Sequence, residues 1–376
     1  MRGDSQNNQS PHHNHWGEDM FVKLIKKKIH ALVKREIDSN NKKILGELQE
    51  KNLLLENQIY ALTELISTKE PARATTPSFK EEVINFFQDG ISSPMFKTYV
   101  EYALRSIDRG NKMVEKYHSY LSENFEYLDI GCAYGGSVIA MINAGASRAV
   151  GIDVDNKLLE LASIQADNYE VGDRSLFLNV DLQDCEQVSS LGNFDFITCI
   201  DVLEHVLDPR KSIESLALLC RTNGKLIVDI PNPYSPFWIK QDPHHHLFGT
   251  VLLEREDAIE QFVCQFGKLN YLVGHFNDLK WYESEFEGAG FKTNYLGVSY
   301  ESSNDWLTVR SEIEDLLNNF EERFVDNKWT ESIRSKINDA MNDYRIMFNK
   351  DITEMGDRQL FIKYGIPVYH LLCTKE

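Results

Sequence analysis

The apolar residues of the chain follow two alternating patterns between residues 126 and 231. Short apolar runs, typical of buried strands, are separated by segments whose apolar residues recur every three or four positions, the spacing of one helix face. Strict alternation of strands and helices is typical of a doubly wound parallel sheet with helices on both faces. We therefore predict strands over 126–131, 148–153, 175–180, 194–200 and 224–230, and helices over 135–145, 156–168 and 208–221.

Two further apolar runs follow after longer connections. A helical pattern over 277–289 precedes a predicted strand over 291–299, and the last predicted strand covers 367–374. Residues 303–356 have helical spacing throughout, and we predict that they form a helical hairpin inserted before the last strand. Residues 231–275 form a second insertion. Connections of this length are uncommon inside compact domains and often carry function.

The chain before the sheet region has a different organisation. Residues 1–19 are polar and predict a disordered tail, and residues 20–68 have the apolar spacing of helices. Residues 69–78 are rich in proline and small polar residues, which predicts a linker. The sheet domain would then occupy residues 79–376.

Two parts of the helical segment suggest contacts with partners. Residues 20–37 form a basic amphipathic pattern that could lie on an anionic membrane surface or pack on protein. Residues 41–68 repeat apolar residues with the spacing of a coiled coil, and Asn52 at a seam position favours a dimer. One long helix packed on its own domain would give the same pattern. We expect a homo-oligomer formed through 41–68.

Composition and charge narrow the class of protein. Of 376 residues, 42% are hydrophobic and 26% are charged, as in soluble globular proteins. The N-terminus lacks the apolar core of a secretory signal, and the six cysteines lack CxxC spacing. We therefore expect a cytoplasmic protein with reduced cysteines. The net charge is −18, and basic residues are concentrated in residues 20–43, so we expect no nucleic-acid partner for the domain.

Candidate chemistry begins at residues 127–141, which read YLDIGCAYGGSVIAM. This stretch predicts a strand, a turn of small residues and a helix. Glycines allow a ligand to approach the backbone, and the first turn of a helix offers free N–H groups. Asp153 ends the second predicted strand, about 20 residues after the turn, where dinucleotide-binding folds place the acid that binds ribose hydroxyls.

The turn resembles motif I of the class I S-adenosylmethionine (SAM) methyltransferases, in which an acid is followed by three glycines at alternate positions. Asp129, Gly131 and Gly135 match this motif, and Ala133 stands in place of the middle glycine. Later strands of the family are matched by residues 179–182, 194–205 and 224–231. The resemblance implies SAM as the cofactor and a Rossmann-like, seven-stranded, doubly wound α/β sheet with an antiparallel last strand.

The same resemblance implies roles for acids at the strand ends. Asp129 would bind the methionine amino group, Asp153 the ribose hydroxyls and Asp181 the adenine. Asp201 would lie in the loop beneath the sulfonium. Each acid could instead cap a helix or form an ion pair at a strand end. The expected cofactor-binding residues are Asp129, Gly131, Ala133, Gly135, Asp153, Asp181 and Asp201.

Methyl transfer to an alcohol also needs a base. His205 follows predicted strand four in residues 201–209 (DVLEHVLDP), a segment that resembles the ubiquinone-type O-methyltransferases. The run 244–246 in the first insertion contains three further histidines, and we take His246 as the second catalytic candidate. His205 could instead cap the next helix. We expect no metal site, because adjacent histidines do not easily ligate one ion.

These observations predict a SAM-dependent methyltransferase, with O-methylation of a small molecule or of a glycan end as the expected reaction. Residues 231–234 (PNPY) are similar to the Asn-Pro-Pro-Tyr motif of nucleic-acid amino-methyltransferases, but they follow predicted strand five rather than strand four. The alternative from another class is a non-catalytic SAM-fold adapter. Such an adapter would recruit partners or membrane through the N-terminal helices.

Overall fold

The computed structural model describes residues 77–88, 96–242, 244–268, 271–297, 303–325 and 329–376. The predicted tail, basic helix, coiled coil and most of the linker lie outside these described residues. Contacts divide the chain into two compact units. Of the smaller unit (Met1–Pro71 with Phe87–Thr98), the structure describes only residues 87–88 and 96–98. The larger unit, Ala72–Phe86 with Tyr99–Glu376, contains the sheet.

The sheet has seven strands in the order β3-β2-β1-β4-β5-β7-β6. Strands β1 to β5 pair in parallel, whereas β7 is antiparallel to both β5 and β6. This confirms the predicted Rossmann-like sheet with an antiparallel last strand. The strands are β1 Glu126–Ile130, β2 Arg148–Asp153, β3 Ser175–Asn179, β4 Phe194–Ile200, β5 Cys220–Pro231, β6 Phe291–Tyr295 and β7 Val368–Lys375.

Helices connect the strands and cover both faces of the sheet. In chain order they are α1 Phe79–Phe86, α2 Phe96–Leu104, α3 Ser106–Tyr117, α4 Gly136–Asn143, α5 Asn156–Asn168, α6 Cys185–Ser189, α7 Pro209–Leu219, α8 Pro236–Lys240, α9 Arg255–Phe266, α10 Leu279–Gly288, α11 Ser303–Asn319, α12 Glu331–Glu354 and α13 Asp357–Leu360. In the part of the chain that the structure describes, no helix combines the length and apolar character needed to cross a membrane.

The strand boundaries differ from the prediction mainly at the start of β5 and at the end of β6. β5 begins at Cys220 rather than at residue 224, because Cys220 already pairs with Phe194 across an irregularity in the ladder. β6 ends at Tyr295, the last residue that it pairs with β7. The local pattern of apolar residues does not predict these strand ends, because they depend on the pairing register with another strand.

The central strands are buried on both sides, as expected for a parallel sheet covered by helices. Leu128 and Ile197 point into a core beneath α7 and α10, while Tyr127 and Phe196 point into a second core beneath α3 and α4. Because side chains alternate along a strand, Asp129 shares the face of Tyr127. The register places Asp129 opposite Gly151 on β2 and Thr198 on β4.

The two predicted insertions pack together around a core of their own. This third core unites Ile239 and Phe248 from the first insertion with Ile337 and Phe348 from α12. The hydroxyl of Tyr344 donates to the carbonyl of Tyr234 at 2.8 Å. The helical hairpin is present as α11 and α12, which together with the first insertion form one helical layer.

Candidate active site at the carboxyl edge of the sheet

The turn after β1 brings three left-handed residues to the edge of the sheet. The φ angle is 70° at Gly131, 44° at Ala133 and 74° at Gly135. Glycine adopts this region freely, whereas alanine does so with backbone strain, so Ala133 is held there by its surroundings. One restraint is a hydrogen bond of 2.8 Å from the Gly131 N–H to the carbonyl of Ile152.

Asp153, the last residue of β2, is fixed against this turn. Its Oδ2 atom accepts the N–H of Ala133 at 3.0 Å, and its Oδ1 atom accepts the N–H of Asp155 at 3.0 Å. A carboxylate offers about four acceptor positions, so two remain for a ligand. A diol placed at this edge would therefore meet an oriented acceptor.

Asp129, near the end of β1, is a buried carboxyl inside a hydrogen-bond network. The hydroxyl of Thr198 donates to its Oδ1 atom at 2.6 Å, and the hydroxyl of Tyr127 bonds to Thr198. Burial raises the pKa of the Asp129 carboxyl to about 6, although hydrogen bonds from Thr198, Tyr127 and Ser137 act to lower it. None of the ion pairs between described side chains involves Asp129. A ligand ammonium group would supply the missing positive charge.

The other two predicted acids lie on the loops after β3 and β4. Asp181 accepts the N–H of Gln183 at 2.9 Å and so orders its own turn. Asp201 is exposed and has a left-handed φ of 55°. A Cβ atom at Gly131 would lie 2.6 Å from the side chain of Val202, so the β4 loop closes tightly on the β1 turn. The four predicted acids thus converge on one edge of the sheet.

This arrangement fits SAM. The cofactor carries an ammonium group, a ribose diol, an exocyclic amine and a sulfonium. The edge offers the buried Asp129, which has no cationic partner among the described residues, the oriented Asp153 and the turn 131–135, in which Gly131, Ala133 and Gly135 are small and left-handed. The residues would bind these groups through charge-assisted hydrogen bonds.

A second cluster lies beyond the end of β4, where His205 and His244 meet. Their rings are edge-on, with centroids 4.6 Å apart. The Nδ1–H of His205 donates to the carbonyl of Leu272 at 3.0 Å, and its Nε2 atom lies 3.9 Å from Oε1 of Glu204. Burial raises the pKa of Glu204 to about 8, with a further contribution from Asp201, and burial lowers the pKa of His244 to about 3.

The histidine run in the first insertion spreads in three directions. His244 faces His205, whereas His245 packs between Phe262 and Tyr271, with ring centroids 4.5 and 5.2 Å away. His246 is exposed and has a left-handed φ of 58°. The structure thus brings His244 rather than His246 to His205. A catalytic role for His246 stays a prediction.

Asp229 and His370 form a further acid–histidine pair that the sequence analysis missed. They are directly opposite each other across β5 and β7, and Nδ1 of His370 lies 2.7 Å from Oδ1 of Asp229. Both act on the carboxyl of Asp201. The residue as a whole is exposed, but neighbouring groups desolvate its carboxyl; this desolvation, followed by the charge of Asp229, raises its pKa, while His205 and His370 lower it. No local motif marks this pair, because it forms only through the register of the last strand.

Comparisons with known proteins agree with this geometry. The methyltransferase-domain family profile matches residues 95–293, more than half of the chain. A ubiquinone biosynthesis O-methyltransferase of Coxiella burnetii is 33% identical over 106 residues, which are 28% of this chain and 43% of that protein. One from Vibrio parahaemolyticus is 33% identical over 107 residues, again 28% and 43%. The chain therefore spans less than half the length of these curated relatives.

Solved structures are similar at low sequence identity. An O-methyltransferase family protein from Burkholderia thailandensis is 14% identical, with 66% of this chain and 67% of that chain covered and a TM-score of 0.39. The family match covers β1 to β5 and the start of β6, and it includes the turn and all four acids. From the match and the site geometry, the chain belongs to the class I SAM-dependent methyltransferases, whose cofactor is SAM.

Proposed function

We propose that the protein transfers a methyl group from SAM to an oxygen atom of a small molecule or a glycan end. The observation that carries this proposal is the position of His205 on the loop after β4, close enough to Asp201 to lower its pKa, with its ring oriented by a backbone carbonyl. The curated relatives, named as ubiquinone biosynthesis O-methyltransferases, support oxygen as the acceptor atom.

The cofactor would be held by the residues predicted from the sequence. Asp129 binds the ammonium group, Asp153 the ribose diol and Asp181 the adenine, while the turn 131–135 leaves room for the cofactor against the backbone. When bound, SAM supplies an electrophilic methyl group on a sulfonium. Asp201, exposed on the β4 loop, adds negative charge on the side of the site that faces His205.

His205 would handle the proton of the acceptor. A carbonyl can only accept, so the contact with Leu272 requires that Nδ1 of His205 carries the ring proton. In the neutral ring Nε2 then has a free lone pair. This nitrogen would accept the proton of the acceptor hydroxyl while the carbon–oxygen bond forms and the carbon–sulfur bond of SAM breaks, which leaves S-adenosylhomocysteine as the second product. Neutral His244, edge-on to the ring, limits the directions from which the acceptor can approach.

The helical layer built from the two insertions would select the acceptor. This layer places His244 in the cluster with His205. Because the edge of the sheet is already used for the cofactor, we expect the elements added around it to distinguish one acceptor from another. We propose a cytoplasmic location for the protein. Methyl transfer from SAM to an acceptor would distinguish this function from the adapter alternative, which predicts no methyl transfer.

A methyl-transfer screen tests the proposal. Purified protein is incubated with SAM labelled in its methyl group and with panels of phenols, sugar alcohols and glycans, followed by separation of labelled products. We expect a base-stable labelled ether from one panel and at least a hundredfold lower rate in His205→Asn. A label found only on nitrogen, or an unchanged rate in His205→Asn, would contradict the proposed chemistry.

A further inference from the structure

A chain of two hydroxyls runs from the interior of the sheet domain to the carboxylate of Asp129. The hydroxyl of Thr198 on β4 donates to Oδ1 of Asp129 at 2.6 Å, and Thr198 is in turn bonded to the hydroxyl of Tyr127 on β1. Because Thr198 uses its one hydroxyl hydrogen toward Asp129, its oxygen accepts the hydrogen of Tyr127. The chain therefore has one direction, from the phenol through the threonine to the carboxylate.

The sheet holds these three side chains together. Thr198 is the residue paired with Asp129 across β1 and β4, and Tyr127 lies two positions before Asp129 on the same face of β1. Tyr127 and Thr198 are both 0% exposed, and the ring of Tyr127 stacks on Phe196 with centroids 6.0 Å apart. Neither hydroxyl can turn to solvent unless the core opens, so both stay directed at the carboxylate.

The other groups that act on Asp129 come from three neighbouring elements and are acidic or polar. They are the carboxylate of Asp153 at the end of β2, the thiols of Cys132 in the turn and Cys199 on β4, and the hydroxyl of Ser137 in the first turn of α4. Among the described side chains, no ion pair includes Asp129. Its negative charge is therefore stabilised by hydroxyl donors and not by a cation.

Hydroxyl donors stabilise a buried carboxylate without cancelling its charge. A lysine or an arginine would also donate hydrogen bonds, but it would neutralise the charge that a ligand ammonium group needs. A chain of hydroxyls avoids this, and each bond in such a chain strengthens the next. The pKa of Asp129 is about 6, raised by burial and lowered by the bonds from Thr198 and Tyr127, so loss of these bonds would raise it further.

We propose that Tyr127 and Thr198 are positioning residues that keep Asp129 ionised and oriented toward the ammonium group of SAM near neutral pH. The inference rests on the proposed contact between Asp129 and that ammonium group, but not on the acceptor or on methyl transfer. A proton on Asp129 has to leave before the ammonium group can bind. Loss of either hydroxyl would therefore weaken SAM binding chiefly at acidic pH, where more of Asp129 keeps its proton.

Calorimetric titrations of the full chain with SAM at pH 5.5 and pH 7.5 test this inference. Thr198→Val keeps the shape of the side chain and removes its hydroxyl, and we expect the pH midpoint of SAM binding to rise by about one unit. From a midpoint of about 6, this shift lowers the affinity about eightfold at pH 5.5 and less than about twofold at pH 7.5. Tyr127→Phe should shift the midpoint in the same direction. The ratio of variant to wild-type affinity at each pH cancels the titration of SAM itself.

Matched variants separate the loss of a hydroxyl from a loss of packing. Thr198→Ser keeps the hydroxyl and should have a midpoint close to that of the wild type. Thr250→Val removes another buried threonine hydroxyl, which donates to Gln261 at 2.7 Å in the first insertion, and should change neither affinity nor midpoint. Circular dichroism checks the fold of every variant, and Tyr127→Phe makes the same test if Thr198→Val does not fold.

The outcomes distinguish this inference from the claims that it rests on. Equal weakening at both pH values in Thr198→Val, or unchanged affinity at both, would overturn it, because the hydroxyls would then only fill the core. If the wild-type profile depends on Asp129 but not on Thr198, the inference fails alone. A wild-type affinity that does not change with pH would refute it together with the role of Asp129. Transfer to an acceptor oxygen is measured separately, so its failure leaves this result unchanged.

Discussion

The backbone N–H of Ala133 donates to the carboxylate of Asp153 at 3.0 Å, across 20 positions of the chain. This bond joins the two parts of the cofactor motif, the turn after β1 and the acid at the end of β2. It also explains how alanine is kept in a left-handed conformation at a position where the family pattern has glycine. We therefore propose two tasks for Asp153, to hold the turn and to bind the ribose.

Asp153→Asn separates these two tasks. Asparagine keeps an oxygen that can accept the Ala133 N–H but loses the negative charge. A hydrogen bond to a charged group contributes about 1.5–3 kcal/mol, so SAM affinity should fall by about ten- to a hundredfold. Isothermal calorimetry measures this. The control is Asp173→Asn, because Asp173 is exposed just before β3, at the opposite edge of the sheet; equal effects of both changes would contradict the assignment.

The pH dependence of SAM binding reports on Asp129. Its pKa of about 6 in the folded protein lies above the usual value of about 3.9 in an unfolded chain. Since the ammonium of SAM favours the ionised carboxylate, affinity should rise from pH 5 to pH 7 and then level off. Asp129→Asn should bind weakly and lose this dependence. A wild-type affinity that is constant over this range would show that Asp129 does not contact the ammonium.

The same shift makes an opposite prediction for the protein without cofactor. Between about pH 4 and pH 6 the folded protein retains a proton on Asp129 that the unfolded chain has released. The contribution of this group to the free energy of unfolding therefore decreases as pH rises through that window. Urea unfolding at pH 5 and pH 7 should show a smaller decrease in Asp129→Asn than in the wild type.

Much of the candidate cofactor site could be predicted from the sequence because its position in the fold depends on local features. Asp129 and Asp153 are at strand ends, and parallel strands bring their carboxyl ends to one edge whatever the loops do. The pairing of two histidines in the second cluster, His205 and His244, could not be predicted from the sequence in the same way. The carboxylate of Asp242 accepts the N–H groups of His244 and Leu247, and these bonds help to place His244, not His246, against His205.

Glu204 and the Asp229–His370 pair could not be predicted for a different physical reason. Glu204 stands in a loop where an acid would ordinarily be solvated, but it is buried, and the N–H of Gly274, distant in sequence, donates to its carbonyl. His370 meets Asp229 through the register of β7, which depends on a strand distant in sequence. The only sequence signal for Glu204 was an acid next to a histidine in the segment DVLEHV.

The helical layer should be a stabilising part of the fold. Phe348 is 1% exposed in the core shared by the two insertions, whereas Ile346, on the same helix, is 67% exposed. Phe348→Ala should lower the free energy of unfolding by about 3–5 kcal/mol, and Ile346→Ala should change it by less than about 0.5 kcal/mol. Urea denaturation of the two variants measures both changes. Similar urea midpoints for Phe348→Ala and Ile346→Ala would contradict the packing described for α12.

Residues 41–68, outside the described part of the chain, should drive self-association. Their three-four apolar spacing and Asn52 predict a parallel dimer. Light scattering of the full chain and of a variant that begins at residue 78 should give a dimer and a monomer, respectively. A monomer in both samples would show that these residues form a helix packed within one chain.

The most direct test of the central claim is a calorimetric titration of the folded protein with SAM. The account predicts one SAM per chain in the wild type. In the double variant Asp129→Asn/Asp153→Asn, whose fold is checked by circular dichroism, binding should be too weak to measure. Equal affinity in the two proteins, or no binding by the folded wild type, would contradict the assignment of this sheet edge as the cofactor site.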